Sequence, residues 1–178
     1  MEQNEKKYWF VAYTLSRHEK KVAEKLNSMG IECFVATQEE IRQYGSHRKK
    51  IQKVILPMTV FIHGTNKERI EALKQPSVTH YLMIPGEKKI ATIPDKQMEQ
   101  FKFMLDYSDS NVELANAPLE PGIWVTIIKG PLTGLKGELI QVNQTTRLIL
   151  RINILGCAGV EIPSNYVVPI KTHLRSGT

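Results

Sequence analysis

Residues 125–137 read VTIIKGPLTGLKG and predict a strand, a tight turn and a second strand. The residues up to Lys129 alternate with the period of two that is typical of a strand. Gly130, Gly134 and Gly137 then follow at spacings of four and three. Because glycine adopts positive φ and lets two backbones approach closely, this pattern favours a sharply bent small barrel. An ordinary hairpin is the alternative that glycine spacing alone leaves open.

Composition and charge indicate a globular chain of two parts. The chain has 178 residues, 42% of them apolar, a mean hydropathy of −0.26 and a net charge of +6. Residues 1–107 carry a net charge of +5, residues 108–121 carry −3, and residues 122–178 carry +4. We therefore expect a first domain at 1–107, a linker at 108–121 and a second domain at 122–178. The positive balance permits contact with nucleic acid without requiring it.

No segment of the sequence predicts insertion into a membrane. Apolar runs stay well below the roughly 18 residues that suggest a span. The segment MEQNEKKYWF is polar and of mixed charge, unlike a secretory signal. Cys33 and Cys157 are far apart and show no CxxC spacing, so we expect buried free thiols, with a disulfide as the alternative. The expected protein is cytoplasmic, has no membrane partner and is a monomer.

The first domain is predicted to be an α+β sandwich, an antiparallel sheet flanked by helices. Residues 8–15 (YWFVAYTL) read as a buried strand, and Ser16 with Glu19 predicts a capping box that begins a helix ending at Gly30. Thr65 with Glu68 predicts a second capping box. Further strands are expected at 31–36, 54–62 and 78–84, and further helices at 65–73 and 95–107. The last helix carries more large apolar residues than one face can bury, which predicts an exposed contact patch.

An acid-free segment, residues 41–66, contains a cationic loop. Its basic residues are Arg42, His47, Arg48, Lys49, Lys50 and Lys53. Such a run is either a solvated hairpin tip or a contact with phosphates, and the missing acids leave the local field positive.

The second domain is predicted to consist of five short strands, at 123–129, 136–142, 147–154, 158–162 and 166–170. Strands of this length and number are typical of a small SH3-like β-barrel.

The order of these features resembles the NusG family, whose members join an NGN domain to a KOW domain. The resemblance rests on a strand starting at Trp9, the Glu19-Lys20-Lys21 helix, the basic hairpin, the Leu56-Pro57 strand and PSVTHYL at 76–82. The glycine turn is similar to the KOW motif, with Gly122, Gly130, Leu132, Gly134 and Gly137 at its key positions. Leu56-Pro57-Met58-Thr59 stands where the general factor usually has Phe-Pro-Gly-Tyr. This drift resembles the specialised antiterminator paralogs RfaH and UpxY.

The resemblance implies that the first domain binds RNA polymerase, at the clamp helices of its largest subunit. Carried over by position, the polymerase-binding residues are Tyr13, Leu56, Thr59, Phe61, Tyr81 and Phe101. Core packing is the alternative role for Phe61 and Phe101.

The resemblance also implies that upstream or non-template DNA lies beside the first helix and the hairpin. The nucleic-acid-binding candidates are Arg17, His18, Lys21, Lys25, Arg48, Lys49 and Lys50. The KOW domain would bind another partner, a ribosomal protein or a termination factor. Leu132 is the candidate anchor, on the expectation that it is exposed at the loop tip.

The function implied is transcription elongation and antitermination on a specific long operon, for polysaccharide synthesis. The alternatives are a general NusG-type elongation factor and a ribosome-associated KOW protein that binds RNA. The histidines show no metal-ligand spacing, and the sequence has no P-loop or GxSxG motif. We therefore expect no enzyme activity, no cofactor and no metal.

Overall fold

The computed structural model describes residues 5–115, 122–142 and 144–170. The chain forms two compact units, Met1–Glu99 and Gln100–Thr178. The elements of the first unit are β1 (Tyr8–Thr14), α1 (Glu19–Ser28), β2 (Glu32–Phe34), β3 (Thr37–Tyr44), β4 (His47–Val54), β5 (Thr59–Gly64), α2 (Asn66–Leu73), β6 (Val78–Tyr81) and β7 (Thr92–Ile93). Helix α3 (Asp95–Tyr107) begins in this unit, and its ends are those predicted from the sequence.

Strand β1 is the centre of the antiparallel sheet in the first unit. The sheet has the order β2-β5-β1-β6, and β7 also pairs with β1. The register places Phe10 opposite Ile62 and Tyr13 opposite Thr59. Most of β1 is buried, as its aromatic and β-branched composition predicted.

Helices α1 and α2 pack on the same face of this sheet. Val22 and Leu26 of α1 share a buried cluster with Phe10 and Ile62 of the sheet, and Ala72 of α2 joins them. Successive side chains of a strand point to opposite faces, so Trp9 and Phe61 belong to the other face. Both of these side chains are buried as well. The prediction of an α+β unit is confirmed.

One of the two predicted capping boxes is present. The Thr65 hydroxyl accepts a hydrogen bond from the Glu68 N–H, and the Glu68 carboxylate accepts one from the Thr65 N–H at 2.6 Å. The predicted box of Ser16 is wrong, because α1 begins after His18 and has no side-chain cap. Glu19 is instead buried and bonded to a distant loop.

Strands β3 and β4 form a separate two-stranded hairpin. Gly45 and Ser46 make its turn, with positive φ at Gly45. Residues 41–50 are all exposed. The segment predicted as one strand at 54–62 is divided, because residues 55–58 leave β4 and turn before β5 begins at Thr59.

The second unit contains a six-stranded antiparallel sheet. Its order is β13-β9-β10-β11-β12-β8. The strands are β8 (Glu113–Ala115), β9 (Ile123–Ile127), β10 (Lys136–Val142), β11 (Thr145–Ile152), β12 (Gly156–Glu161) and β13 (Val167–Pro169), with a short 3-10 helix at Ser164–Tyr166. The last five strands match the five that the sequence predicted. Their closure into an SH3-like barrel stays a prediction.

The predicted linker overlaps a strand of this sheet. Glu113–Ala115 pairs with β12, placing Leu114 opposite Ala158. Residues 116–121 of the predicted linker lie outside the described residues. Within the described residues, no helix is both long enough and apolar enough to cross a bilayer.

Candidate functional site

Four of the six predicted polymerase-binding side chains lie in the interior. Phe61 and Phe101 are each 0% exposed, and Thr59 and Tyr81 are also buried. The Phe61 ring lies 5.9 Å from the ring of Phe34, centroid to centroid. A side chain without exposed surface cannot contact a partner, so direct docking through these four residues is a wrong prediction. Core packing, the alternative for Phe61 and Phe101, describes them instead.

Burial also explains the chemistry of Tyr81. Its hydroxyl donates a hydrogen bond of 2.7 Å to the Arg69 carbonyl. Desolvation raises the pKa of Tyr81 to about 12. The hydroxyl therefore stays neutral and serves the fold rather than a binding surface.

An apolar surface patch nevertheless lies at the end of β1. Leu15 and Met58 are 46% and 47% exposed, and the predicted residues Tyr13 and Leu56 are half-buried. The Thr14 N–H donates to the Met58 carbonyl at 2.8 Å, which joins the two loops that carry these residues. We call Tyr13, Leu15, Leu56 and Met58 the β1-end patch. It retains Tyr13 and Leu56 of the six predicted docking residues and adds Leu15 and Met58.

Met58 of the β1-end patch and Arg17 beside it have an unusual backbone conformation. Met58 has a φ of 56° and Arg17 a φ of 62°, both in the left-handed region. For residues with a Cβ this conformation costs about 1–2 kcal/mol. Glu19 offsets part of that cost, since its buried carboxylate accepts the Met58 N–H at 2.6 Å. Strained residues that are fixed by their surroundings in this way are often found at functional sites.

A third loop is tied to the same end of the sheet. The Leu15 N–H donates to the Ser77 carbonyl at 3.0 Å, and the Thr79 hydroxyl donates to the Tyr13 carbonyl at 3.1 Å. The Tyr13 ring stacks on His80 at 4.7 Å between centroids. Loops from three parts of the first unit therefore give the β1-end patch a fixed shape.

Helix α1 contacts the base of the hairpin. Lys20 of α1 donates to the Gln52 carbonyl of β4 at 3.3 Å. Three of the predicted nucleic-acid candidates, Arg17, Lys21 and Lys25, are exposed. The fourth on this element, His18, is half-buried at the start of α1, with Nδ1 3.1 Å from the Ser16 carbonyl oxygen. We call the exposed basic residues of α1 and the hairpin the cationic surface.

Acids on β3 neutralise part of the hairpin. Lys50 pairs with Glu39 at 3.0 Å, and Arg42 pairs with Glu40 at 3.1 Å. The sequence prediction overlooked these acids because both precede the acid-free segment. Glu39 reaches Lys50 across the hairpin, and Glu40 reaches Arg42 along the same strand. Among the described residues, no carboxylate pairs with Arg48 or Lys49, so the uncompensated charge lies near the tip.

Gly122 and the three glycines of residues 125–137 occupy positions that disfavour any other residue. Gly130 and Gly134 have φ of 83° and 91°. A Cβ on Gly137 would lie 2.7 Å from the Ile149 carbonyl oxygen, and one on Gly122 would collide with the backbone of the neighbouring strand. Glycine is needed at all four positions, for two different reasons.

Leu132 does not have the exposure expected of it. It is 6% exposed, because the loop folds back and the Gly134 N–H donates to the Ile127 carbonyl at 2.8 Å. The prediction of an exposed loop-tip anchor is wrong. Large apolar side chains that are exposed in this unit include Ile123 and Trp124 on β9.

Comparison with protein families gives a match to the first unit and the start of α3. The sequence model of the family described as transcription termination factor NusG matches residues 7–102. The chain belongs to the NusG family. Comparison with curated proteins returned no match.

Solved structures resemble this NusG-family chain at low identity. One, from "Domain interaction in Thermotoga maritima NusG", is 20% identical, with a TM-score of 0.48 over 93% of this chain and 98% of that chain. The MjSpt4:Spt5 complex in conformation A is 18% identical, with a TM-score of 0.32 over 93% of this chain and 99% of that chain. Conformation B is 19% identical, with a TM-score of 0.31 over 93% and 98%. Family membership rests on the sequence match.

Sequence reasoning missed the role of Glu19 in this NusG-family chain. The Ser-x-x-Glu pattern assigned Glu19 to the helix start, whereas its carboxylate reaches a loop 39 residues away. The available signal was Pro57, which cannot donate to a sheet ladder and so indicates an interruption of the predicted 54–62 strand. A turn there needs a partner for its N–H, but the sequence does not say which carboxylate supplies it.

Proposed function

We propose that this chain is a transcription elongation factor of the antitermination type that docks on RNA polymerase through the β1-end patch. The family match over residues 7–102 carries the proposal, because both the patch and the cationic surface lie within it. The proposed partner element is the pair of clamp helices of the largest polymerase subunit. The protein acts by binding and does not catalyse a reaction.

The chemistry of the β1-end patch supports docking. Leu15 and Met58 present apolar surface that the fold leaves uncovered among the described residues. Binding hot spots are usually a few apolar or aromatic anchors on a rigid frame. The Glu19–Met58 hydrogen bond supplies that rigidity, so little conformational freedom is lost on binding.

Met58 supports a specialised paralog of the RfaH and UpxY type rather than the general factor. It occupies the position where the resemblance gives the general factor a glycine, and it keeps the left-handed φ that suits glycine. The chain tolerates that strain and gains an exposed apolar side chain. We propose that this exchange changes the docking surface of a factor dedicated to one long operon, for polysaccharide synthesis.

The cationic surface supports contact with DNA beside the polymerase. Arg48 and Lys49 at the hairpin tip and Lys21 on α1 lack described carboxylate partners and are exposed. Cations of this kind bind phosphates in a salt-dependent manner without reading sequence. With polymerase on one side and DNA on the other, the factor would disfavour clamp opening and pausing.

The second unit is proposed to be the KOW module. Its glycine turn and its five strands from β9 to β13 support that assignment. We propose that it binds a ribosomal protein or a termination factor. The exposed Ile123 and Trp124 replace Leu132 as candidate contact residues.

A pull-down with purified bacterial RNA polymerase tests the docking proposal. Leu15→Ser with Met58→Ser removes the apolar surface of the patch. Ile70→Ser with Leu73→Ser is the matched control, since Ile70 and Leu73 are similarly exposed, at 48% and 41%, on α2. We expect the first pair to weaken binding about tenfold or more and the control pair to leave it unchanged.

The outcomes separate the alternatives. Equal binding by both double variants would refute docking through the β1-end patch. Absence of polymerase binding by the unmodified chain, with retention of ribosomal RNA, would favour the ribosome-associated alternative. Read-through of a terminator in a purified transcription reaction, lost with the patch variant, would support antitermination over general elongation.

A further inference from the structure

A pocket on the first unit lies outside the docking and DNA surfaces. Its volume is about 450 Å³, within the range of small-ligand sites. Tyr8 and Phe10 of β1, Arg69 of α2 and Lys88 and Lys89 of the loop before β7 line it. The proposed transcription function assigns nothing to this combination of aromatic rings and cations.

Arg69 is held in position by the aromatic rings. Its guanidinium carbon lies 5.7 Å from the centroid of the Phe10 ring and 5.5 Å from that of the Tyr81 ring. Nε of Arg69 also lies 3.4 Å from the Asn66 side-chain oxygen. A guanidinium whose face packs on rings keeps N–H groups at its rim for an oxyanion.

The charge of the pocket is positive. Among the described residues no carboxylate forms an ion pair with Arg69 or Lys88, whereas Lys89 pairs with Glu87 at 3.3 Å. The Glu68 carboxylate, next to Arg69 in sequence, accepts the Thr65 N–H at 2.6 Å and pairs with Lys7 at 3.7 Å. Two cations are therefore available to an anion without breaking an existing ion pair.

Tyr8 adds an aromatic surface beside these cations. It is 36% exposed, and its ring centroid lies 6.2 Å from that of Phe10. Lys6 Nζ lies 5.3 Å from the Tyr8 ring centroid, which adds a further cation to the neighbourhood. An exposed ring next to phosphate-binding cations suits a nucleobase, which can stack on any aromatic face.

We propose that this pocket binds a nucleoside phosphate, with the phosphate at Arg69 and Lys88 and the base on Tyr8. The ligand is either a free nucleotide or one unit of single-stranded RNA, which share this chemistry. An acidic peptide would satisfy the cations but would make no use of the exposed part of the Tyr8 ring. The combination of a ring and two free cations in one pocket favours the nucleotide.

Calorimetric titration of the full chain, which requires no polymerase, tests the proposal. The probes are a nucleoside 5′-monophosphate, the matching nucleoside, inorganic phosphate, a short single-stranded RNA and an acidic peptide. We expect the monophosphate to bind and the nucleoside and inorganic phosphate each to bind about tenfold more weakly. Tighter binding of the RNA than of the monophosphate would identify RNA as the source of the ligand, and the reverse order would identify a free nucleotide.

Substitutions assign the binding to the pocket. We expect Lys88→Gln and Tyr8→Leu each to weaken nucleotide binding by about tenfold. Lys96→Gln is the matched control, since Lys96 is an exposed cation on α3 outside the pocket lining. Both test positions are partly or fully exposed, so these variants retain the fold, whereas Arg69→Gln would also disturb ring packing.

Three results would overturn the proposal. The first is no nucleotide binding at concentrations up to about 10 mM, weaker than any site of this kind requires. The second is an equal loss of binding in Lys88→Gln and Lys96→Gln, which would indicate general charge attraction. The third is tighter binding of the acidic peptide than of either nucleotide ligand.

Discussion

Removing the Glu19 carboxylate tests whether it holds the Met58 turn. The carboxylate is buried and accepts the Met58 N–H at 2.6 Å. A hydrogen bond to a charged group contributes roughly 1.5–3 kcal/mol, and its loss leaves a part-buried N–H without a partner. We therefore expect Glu19→Ala to lower the free energy of unfolding of the first unit by about 2–3 kcal/mol. Glu19→Gln retains an acceptor oxygen and should cost about 1 kcal/mol or less.

Urea unfolding followed by tryptophan fluorescence measures this loss. The chain has two tryptophans, the buried Trp9 in the first unit and the exposed Trp124 in the second. A Trp124→Phe background therefore makes the signal specific to the first unit. A loss of 2 kcal/mol corresponds to a midpoint lower by about 1 M urea.

Glu24→Ala is the control for this experiment, because Glu24 lies on the same helix and is exposed. If Glu19→Ala cost no more than Glu24→Ala, the hydrogen bond would not be stabilising the turn. An equal cost for Glu19→Gln and Glu19→Ala would show that charge, rather than an acceptor for the Met58 N–H, is what the loop needs. Either result would refute the reasoning.

Three further predictions concern the second unit and the hairpin. Gly137→Ala should destabilise the second unit by about 1–3 kcal/mol in urea unfolding, because its Cβ would meet a backbone carbonyl at 2.7 Å. The hydrogen bond from the Arg151 guanidinium lowers the pKa of Glu138, which means that ionised Glu138 stabilises the folded second unit. That contribution is present above the usual carboxyl pKa and is lost as the pH falls through the lowered pKa. In Glu138→Gln, the free energy of unfolding should therefore fall less steeply as the pH is lowered, in urea unfolding at several pH values. Arg48→Gln with Lys49→Gln should reduce the dependence of log K on log salt by about two in DNA binding.

Each of these predictions has a contrasting measurement. Gly134→Ala has open space for its Cβ and meets only backbone strain, so it should cost less than Gly137→Ala. If Glu138→Gln left the pH dependence of the free energy of unfolding unchanged, other carboxylates would be responsible for that dependence. Lys50→Gln should change the salt dependence less than Arg48→Gln, since Lys50 is already paired with Glu39. An equal change in salt dependence for Lys50→Gln and Arg48→Gln would contradict the proposal that the unpaired cations at the hairpin tip bind DNA.

The elements with strong local signals were predictable from the sequence. Helix α3 (Asp95–Tyr107) has the predicted ends because Pro94 and Asp95 mark its start and its apolar residues keep a helical spacing. The Thr65–Glu68 capping box and the five strands after residue 122 were also predictable. In each case residues close together in sequence determine the structure.

The candidate site was less predictable, because exposure depends on contacts between distant residues. Val60, Phe61 and Ile62 are all buried, so both faces of β5 are covered and alternation cannot indicate a docking face. Leu132 is buried by its own loop folding back. Glu19 acts across 39 residues, which no local pattern records.

Strand β8 has a consequence for how the second unit can be isolated. It is three residues long and covers Cys157, Ala158 and Gly159 of β12, while Glu113 pairs with Arg147 at 2.5 Å. A fragment that starts at residue 122 would lose this cover and leave a row of unpaired backbone N–H and C=O groups along β12. An exposed edge strand of this kind can pair with another chain and cause aggregation. Short edge strands that carry charged side chains, such as β8, normally prevent such pairing. A soluble fragment of the second unit should therefore begin before Glu113.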